Sequence, residues 1–471
     1  MKKILFICLV LAYELSHAIT IEKSLHHYQQ QEFENAYLGF QELAKLGNTK
    51  AQFNIGAMHA RGEHVKVDIT EALAWFLLVK ENQKKEKKSI EDTEKVILLL
   101  TKKLDSKKVD QANKRSKGLV SIYGTEAVNK KYFPGYKKLE NPGFKEAKST
   151  LKNPPLYPKE MIRRKHSGSV DLEYLVEKDG SVRYPTVLAS THTYFSEAAI
   201  KAVLQNTFHP AELNGKPVYQ YGKKMRMTFT MRGVTVDNNK ANKKFKKLEE
   251  NALNGGGPEK YTYAYNIMMF DSLDRIESKT GNKLALPNAS PWFADAARDG
   301  FSPAKYELGK RLAYGKSCNI DSNKALFWLE QAAEQGLPEA QLMLGMELVN
   351  GSVLKQDAEK GLQLIEKSAN SGLEHAILRY IWINTTSESL DANNVKKSKN
   401  WLAEFDSKKY LDKASYYESA IALQLAAGEF EKALKTIKKA RKALKKSKQH
   451  SFRLEGLAVA AENKQHYIEK V

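Results

Sequence analysis

Two periodicities divide this chain. Val170, Leu172, Tyr174 and Val176 alternate with Ser169, Asp171, Glu173 and Glu177, the period-2 pattern of a strand with one buried face. Lys178-Asp179-Gly180-Ser181 predicts a tight hairpin with positive φ at both central residues, and the β-rich run Val182 to Leu188 supplies the second strand. Ala199, Ile200 and Val203 share one helical stripe, which predicts a short helix from Ser196, its N-cap, to Gln205. Asn214-Gly215-Lys216-Pro217 turns the chain into a last strand, Val218 to about Arg232. There Met225, Met227, Phe229 and Met231 point to a core, while Lys224, Arg226, Thr228, Thr230 and Arg232 point away. The order β-β-α-β gives residues 154–232 as a small α+β domain: a three-stranded antiparallel sheet with one helix.

On both sides the apolar positions recur at helical spacing. Ala36, Phe40, Leu43 and Ala44 form a stripe that Gly47 ends, with further helices over Ala51–Ala60 and Ile69–Lys80. A shift of 289 residues lays Gly47, Ala51, Gln52, Gly56 and Gly62 on Gly336, Ala340, Gln341, Gly345 and Gly351. Gly300, Gly336 and Gly372 are 36 apart, Ala304, Ala340 and Ala376 likewise, and Trp292, Trp328 and Leu364 keep the step. A fixed period of that size predicts α-helical solenoid repeats, units that bury their stripes only when stacked. The Lys/Glu-rich run from Lys80 to Lys117 reads as one long amphipathic helix, and residues 119–153, with Pro134, Gly135, Pro142 and Gly143, as an irregular connector. Residues 233–258, Lys/Asn-rich and ending in a triple glycine, read as a linker with some helix. The chain is therefore multidomain: an N-terminal segment 1–18, helical repeats 19–118, the connector, the α+β domain, the linker, repeats 259–390 and C-terminal helices 391–471.

These residues carry two resemblances. Asn153-Pro-Pro-Leu-Tyr-Pro158, Asp179-Gly180-Ser-Val182, Ala198-Ala199, Phe208, Pro210-Ala211 and Asn214-Gly215-Lys216-Pro217-Val218, in that order, resemble the C-terminal domain of the TonB family of energy transducers. The helical units, with Ala-x-x-x-Leu-Gly and Trp-Leu-x-x-Ala-Ala-x-x-Gly, resemble SEL-one-like repeats, and Gly428-Glu-Phe-Glu-Lys-Ala433 a tetratricopeptide turn. The first resemblance implies a periplasmic domain that takes the box peptide of an outer-membrane TonB-dependent transporter as an added strand, a recognition mode that an unfinished sheet edge suits. The implied contacts are Lys159, Glu160, Met161, Ile162 and Arg163 after Tyr-Pro, with Lys224, Met225, Arg226, Met227, Thr228, Phe229, Thr230, Met231 and Arg232 on the last strand. Two positions depart from the family's pattern: Ile162 stands where Gln is frequent, and Asn206 where an aromatic is common.

The N-terminus gives the address. Lys2-Lys3, an apolar run from Ile4 to Tyr13 and Ser16-His17-Ala18 form an export signal, and Glu14, Ser16 and His17 interrupt the run well short of a membrane span. Cleavage would leave a periplasmic chain; an inner-membrane anchor is the competing expectation. Loss of Lys2, Lys3 and Glu14 moves the net charge only from +21 to +20, and only Cys318 of the two cysteines then remains, so no internal disulfide forms. A charge of that size either steers the protein to anionic envelope surfaces, peptidoglycan, lipopolysaccharide or lipid headgroups and not nucleic acid, or serves solubility alone.

No nucleophile elbow, phosphate loop or metal-ligand spacing occurs, so no catalytic residue, cofactor or metal is expected and the chain is read as a non-enzyme. The reading that follows is an accessory protein of TonB-dependent transport, with a peptide on the sheet edge and a second periplasmic protein on the repeats. Energy from the family's ExbB–ExbD motor would reach it only through a membrane-anchored partner. The alternative is a cell-envelope adaptor that holds peptidoglycan and proteins.

Overall fold

A computed structural model describes residues 19–83, 87–135, 143–229, 238–277, 287–315 and 318–469. The proposed export signal, residues 1–18, lies outside them, as do Thr230, Met231 and Arg232.

In chain order, helices α1 (Ile21–Gln29), α2 (Phe33–Lys45), α3 (Thr49–Arg61), α4 (Ile69–Asn82), α5 (Lys87–Thr101), α6 (Ser106–Tyr123) and α7 (Thr125–Tyr132) come first. Strands β1 (Phe144–Lys145) and β2 (Lys148–Leu151), helix α8 (Lys159–Arg163), strands β3 (Gly168–Val176) and β4 (Val182–Ser190) and helix α9 (Thr193–Val203) follow. Short strands β5 (Thr207–His209), β6 (Ala211–Leu213) and β7 (Lys216–Val218) lead to β8 (Gln220–Phe229). Helices α10 (Asn238–Asn254), α11 (Gly257–Glu277), α12 (Ala289–Arg298), α13 (Ser302–Tyr314) and α14 (Ser322–Glu334) come next. The last are α15 (Pro338–Asn350), α16 (Ala358–Asn370), α17 (Glu374–Thr386), α18 (Ala392–Glu404), α19 (Lys413–Ala426), α20 (Phe430–Ser447) and α21 (Leu454–Glu462).

These elements sort into two units, each made of separated stretches of chain. The described parts of one fall in Leu15–Glu140 and Asp237–Gly336; those of the other fall in Asn141–Val236 and Leu337–Val471. In the first, Asn48 at the N-cap of α3 donates to Asp299 Oδ1 at 2.8 Å, and Trp328 of α14 donates to the Tyr132 carbonyl at 2.6 Å. The repeat unit before the sheet domain and the unit at α13–α14 thus belong to one body.

Repeat equivalence is structural as well as periodic. Gly62 and Gly351 both close their helices in the left-handed region, at φ 75° and 61°. Asp68, Asp321 and Asp357 cap the second helix of their units, each accepting from the amide three residues on. At Gly345 a methyl group would stand 2.7 Å from the Gly361 carbonyl, so the paired helices touch backbone to backbone.

Three local expectations are corrected. The run from Lys80 to Lys117 is not one helix: α5 ends at Thr101 and Asp105 caps α6. The described parts of the connector are not irregular, since the end of α6 and all of α7 occupy its first part and β2 pairs with β5. The helix expected within residues 233–258 is more extensive than a linker implies: α10 occupies most of the stretch, and its Phe245 and Ala252 pack with Tyr263 and Ile267 of α11.

The sheet has the order β4-β3-β8, all antiparallel, as the pattern implies. Val170, Leu172, Tyr174, Met227 and Phe229 pack on Phe195, Ala199 and Val203 of α9. That helix starts at Thr193, earlier than Ser196, because His192 caps it by accepting from the Tyr194 amide. At the β3–β4 turn only Gly180 has positive φ, 83°, and its amide bonds the Glu177 carbonyl, which makes a three-residue loop instead of the two-residue turn. The mirror-image turn occurs at Asn214-Gly215, with φ 52° and 79°, between β6 and β7. Val218 therefore belongs to that hairpin, and the last strand starts at Gln220.

Candidate functional site: one border of the sheet

A three-stranded sheet has two borders, and here they differ. Along β4, Tyr184 takes φ 54°, Pro185 has no amide hydrogen, and the pairing with β3 slips twice. The Tyr184 amide is engaged by Asp412 Oδ2 at 3.3 Å. Proline, bulges and a capped donor are the devices that close a strand edge to visitors.

Strand β8 keeps an unbroken register with β3 from Lys223 to Phe229. Ser169 exchanges bonds with Thr191 at the β4 side, through its carbonyl to the Thr191 amide and its amide to the Thr191 hydroxyl. By the alternation of an antiparallel ladder, Val170 and Leu172 then bond Met227 and Met225, and the backbone groups of Lys224, Arg226 and Thr228 are directed away from β3. Among the described residues no strand pairs with β8 on that side.

The side chains of β8 divide as the alternation predicts, with one correction. Met227 and Phe229 are buried in the core and Met225 packs against it. Arg226 and Lys224, expected to face solvent, are covered instead. Arg226 forms a two-pronged pair with Asp171 across the strand, Nη2 to Oδ2 at 2.6 Å, and Lys224 lies 3.6 Å from Glu173. Among the described residues of that row, Lys224, Arg226 and Thr228, only Thr228 is exposed.

The segment after Tyr157-Pro158 forms the single turn of helix α8. Met161 is buried in the same cluster as Phe229, and the Tyr157 ring meets Phe229 edge-on at 5.7 Å, so the two sequence-predicted contact segments converge at the end of β8. Ile162 is exposed. Glu160 accepts from Arg163 and Arg164, both at 2.7 Å, and Arg163 above all draws its carboxyl below the usual range. Lys159 begins the turn. Asn206, the other departure from the family pattern, is buried and accepts from the Asn153 amide at 2.7 Å, tying down the approach to Tyr157.

Sequence reasoning missed what fixes the opposite border. Glu177, at the end of β3, is buried among three guanidinium groups: Arg453 at 2.6 Å, Arg379 at 3.4 Å and Arg183 at 3.7 Å. Burial pushes the Glu177 carboxyl up, but Arg453, Arg183 and Arg379 outweigh it and hold it down to about 2. Arg183 also reaches Glu418 of α19 at 2.9 Å, and Arg453 reaches Glu469 at 2.8 Å. Burial raises the Glu418 carboxyl against the pull of Arg183 and Arg453. The β3–β4 hairpin is thus clamped to α17, α19 and the Arg453 segment before α21. A paired polar residue at Glu177 in the alternation was the available signal, but two of its three partners, Arg379 and Arg453, lie more than 200 positions away.

No helix among the described residues is long and apolar enough to cross a membrane, and no group of three His, Cys, Asp or Glu among them could hold a metal ion. Residues 153–231 match the model of the Gram-negative bacterial TonB protein C-terminal, and residues 49–78, 302–337 and 338–373 match the Sel1 repeat. No curated protein matches the chain. Among solved structures, a Sel1 repeat protein from Oxalobacter formigenes is 28% identical over 29% of this chain and 96% of that one, with a TM-score of 0.24. A protective antigen of uropathogenic Escherichia coli with an SLR fold is 15% identical over 92% of this chain and 76% of that one, with a TM-score of 0.34. The chain joins a TonB-type C-terminal domain to Sel1 repeats, two kinds of protein-interaction module.

Proposed function

We propose that this is a periplasmic TonB-like protein that captures an extended peptide of an outer-membrane transporter along β8, as an accessory to TonB-dependent transport. The guest would run beside Lys224 to Phe229 and meet α8 near Ile162 and Arg163. Main-chain bonds would supply affinity and the alternating side chains selectivity. The helical repeats would dock a second protein, and tethering the two contacts raises the effective concentration of the second. An export signal at residues 1–18 would bring the chain to the periplasm.

The single observation that carries this reading is the asymmetry of the sheet. One border is closed by Pro185, two slips of register and Asp412, while β8 is regular and, among the described residues, ends the sheet. Amide hydrogen exchange with and without a transporter box peptide tests it. The Thr228 amide should exchange at least about tenfold more slowly with peptide, as one new ladder bond requires, while Met227, already bonded to Val170, should change little. Protection that appears on β4 instead, or nowhere in the sheet, removes the proposal.

A further inference from the structure

Helix α20 buries one stripe, Ala433, Ile437, Ala440 and Leu444, in the core it shares with α19 and α21. Lys435, Lys438, Lys439, Lys442, Lys445 and Lys446 are all exposed. At about 100° per residue these six fall within an arc of roughly 120° centred opposite the buried stripe, and they extend about 16 Å along the axis. The cations at the arc's edges are neutralised: Lys432 lies 3.0 Å from Glu429, and Arg441 lies 2.7 Å from Glu455. The six in the row have no ion pair among the described residues, and Lys448 extends the row past the helix end.

Such a row does not serve the helix. Lysines three and four positions apart repel one another along its whole length. Lys445 and Lys446 complement the negative end of the helix, but Lys435, Lys438 and Lys439 lie too far from it to do so. We propose that this row docks the protein on an anionic lipid surface, a leaflet of phosphate-bearing headgroups. The row is straight and stands on an exposed helix. It consists of lysines, whose point charges suit a fluid array of phosphates, where arginine would suit a shaped two-pronged site. Phe452, 60% exposed and six residues past Lys446, adds an apolar ring of the kind that settles at headgroup depth. This inference stands apart from peptide capture at β8 and survives its failure.

The test uses the full chain and phosphatidylcholine vesicles with and without phosphatidylglycerol. The protein should sediment with the anionic vesicles at low salt, remain in solution with the neutral ones, and be released at roughly 0.5 M salt, where screening shortens the reach of each charge to a few ångströms. The triple variant Lys438→Glu, Lys439→Glu, Lys442→Glu should lose at least about tenfold in apparent affinity for anionic vesicles, with an unchanged urea midpoint because all three side chains are exposed. Should that variant fold poorly, Lys→Gln at the same positions reads out the loss of charge alone. Equal binding to neutral vesicles, wild-type binding by the folded variant, or retention on isolated peptidoglycan without retention on vesicles overturns the proposal.

Discussion

Arg183 of β4 donates to Glu418 of α19 at 2.9 Å across 235 positions of sequence, with both side chains almost fully buried. The sheet domain and the C-terminal helices are therefore joined through charge, where a mistake is expensive. A buried ion pair contributes modest net stability, but removal of one partner strands the other in a medium that cannot solvate it.

Arg183→Met should accordingly destabilise the protein by about 3–5 kcal/mol, seen as a lower urea midpoint. Arg441→Met, which breaks the exposed pair with Glu455, should cost less than about 1 kcal/mol. Equal effects of the two substitutions would show that the Arg183 network does not hold the hairpin to the helices.

The same region sets a pH profile. His375 is half-buried, its ring against Tyr184 and Tyr410 and its Nδ1 2.9 Å from the Tyr410 hydroxyl, and burial depresses it from 6.5 to about 4. The unfolded chain takes this proton first, so its contribution is present above pH 6.5 and is lost as pH falls towards 4. Glu177, depressed from 4.5 to about 2, contributes stability above pH 4.5 that is lost as pH falls towards 2. Each would contribute roughly 3 kcal/mol. Glu418, raised by burial, opposes the Glu177 loss by favouring the folded state as it takes up its proton. Unfolding free energy measured against pH should thus fall in two steps, and His375→Gln should flatten the upper one alone.

The repeats make a packing prediction. Gly345→Ala places a methyl group 2.7 Å from the Gly361 carbonyl and from Ile365, atoms that move only if α15 and α16 separate. A loss of about 1–3 kcal/mol is expected. Gly118→Ala, on α6 with open space around it, should instead be neutral or slightly stabilising in the same thermal melt.

What could be read in advance follows from range. The 36-residue step, the alternation of β3 and β8 and the stripe on α9 are local patterns, and the fold class follows from them. The alternation also misled: Asp171, Glu173, Lys224 and Arg226 read as a wet face, yet they pair across strands and are covered. Charge of opposite sign at facing positions is invisible until the register is known. The same holds for Glu177, whose three arginines come from β4, α17 and the loop before α21. The candidate edge residues were legible because backbone pairing depends on position in a strand more than on side-chain identity. Which of them turn their amides outward required Ser169 and its bonds to Thr191.

That orientation separates two substitutions that the sequence alone would treat alike. Met227 bonds Val170 within the ladder and its side chain is buried, so Met227→Pro removes an internal bond and opens the core, at a cost of about 3 kcal/mol or more. Thr228 is exposed and its amide points away from β3. Proline is tolerated at such an edge position, so Thr228→Pro should change the unfolding free energy, read from urea denaturation, by less than about 1 kcal/mol. A guest strand, however, loses its hydrogen-bond donor and meets the proline ring, so box-peptide affinity measured by fluorescence anisotropy should drop about tenfold or more. Thr228→Ala, which keeps the amide, should bind as the wild type does. If Thr228→Pro also binds unchanged while folded, the guest does not lie along β8, and the border where no described strand pairs is not the one it uses.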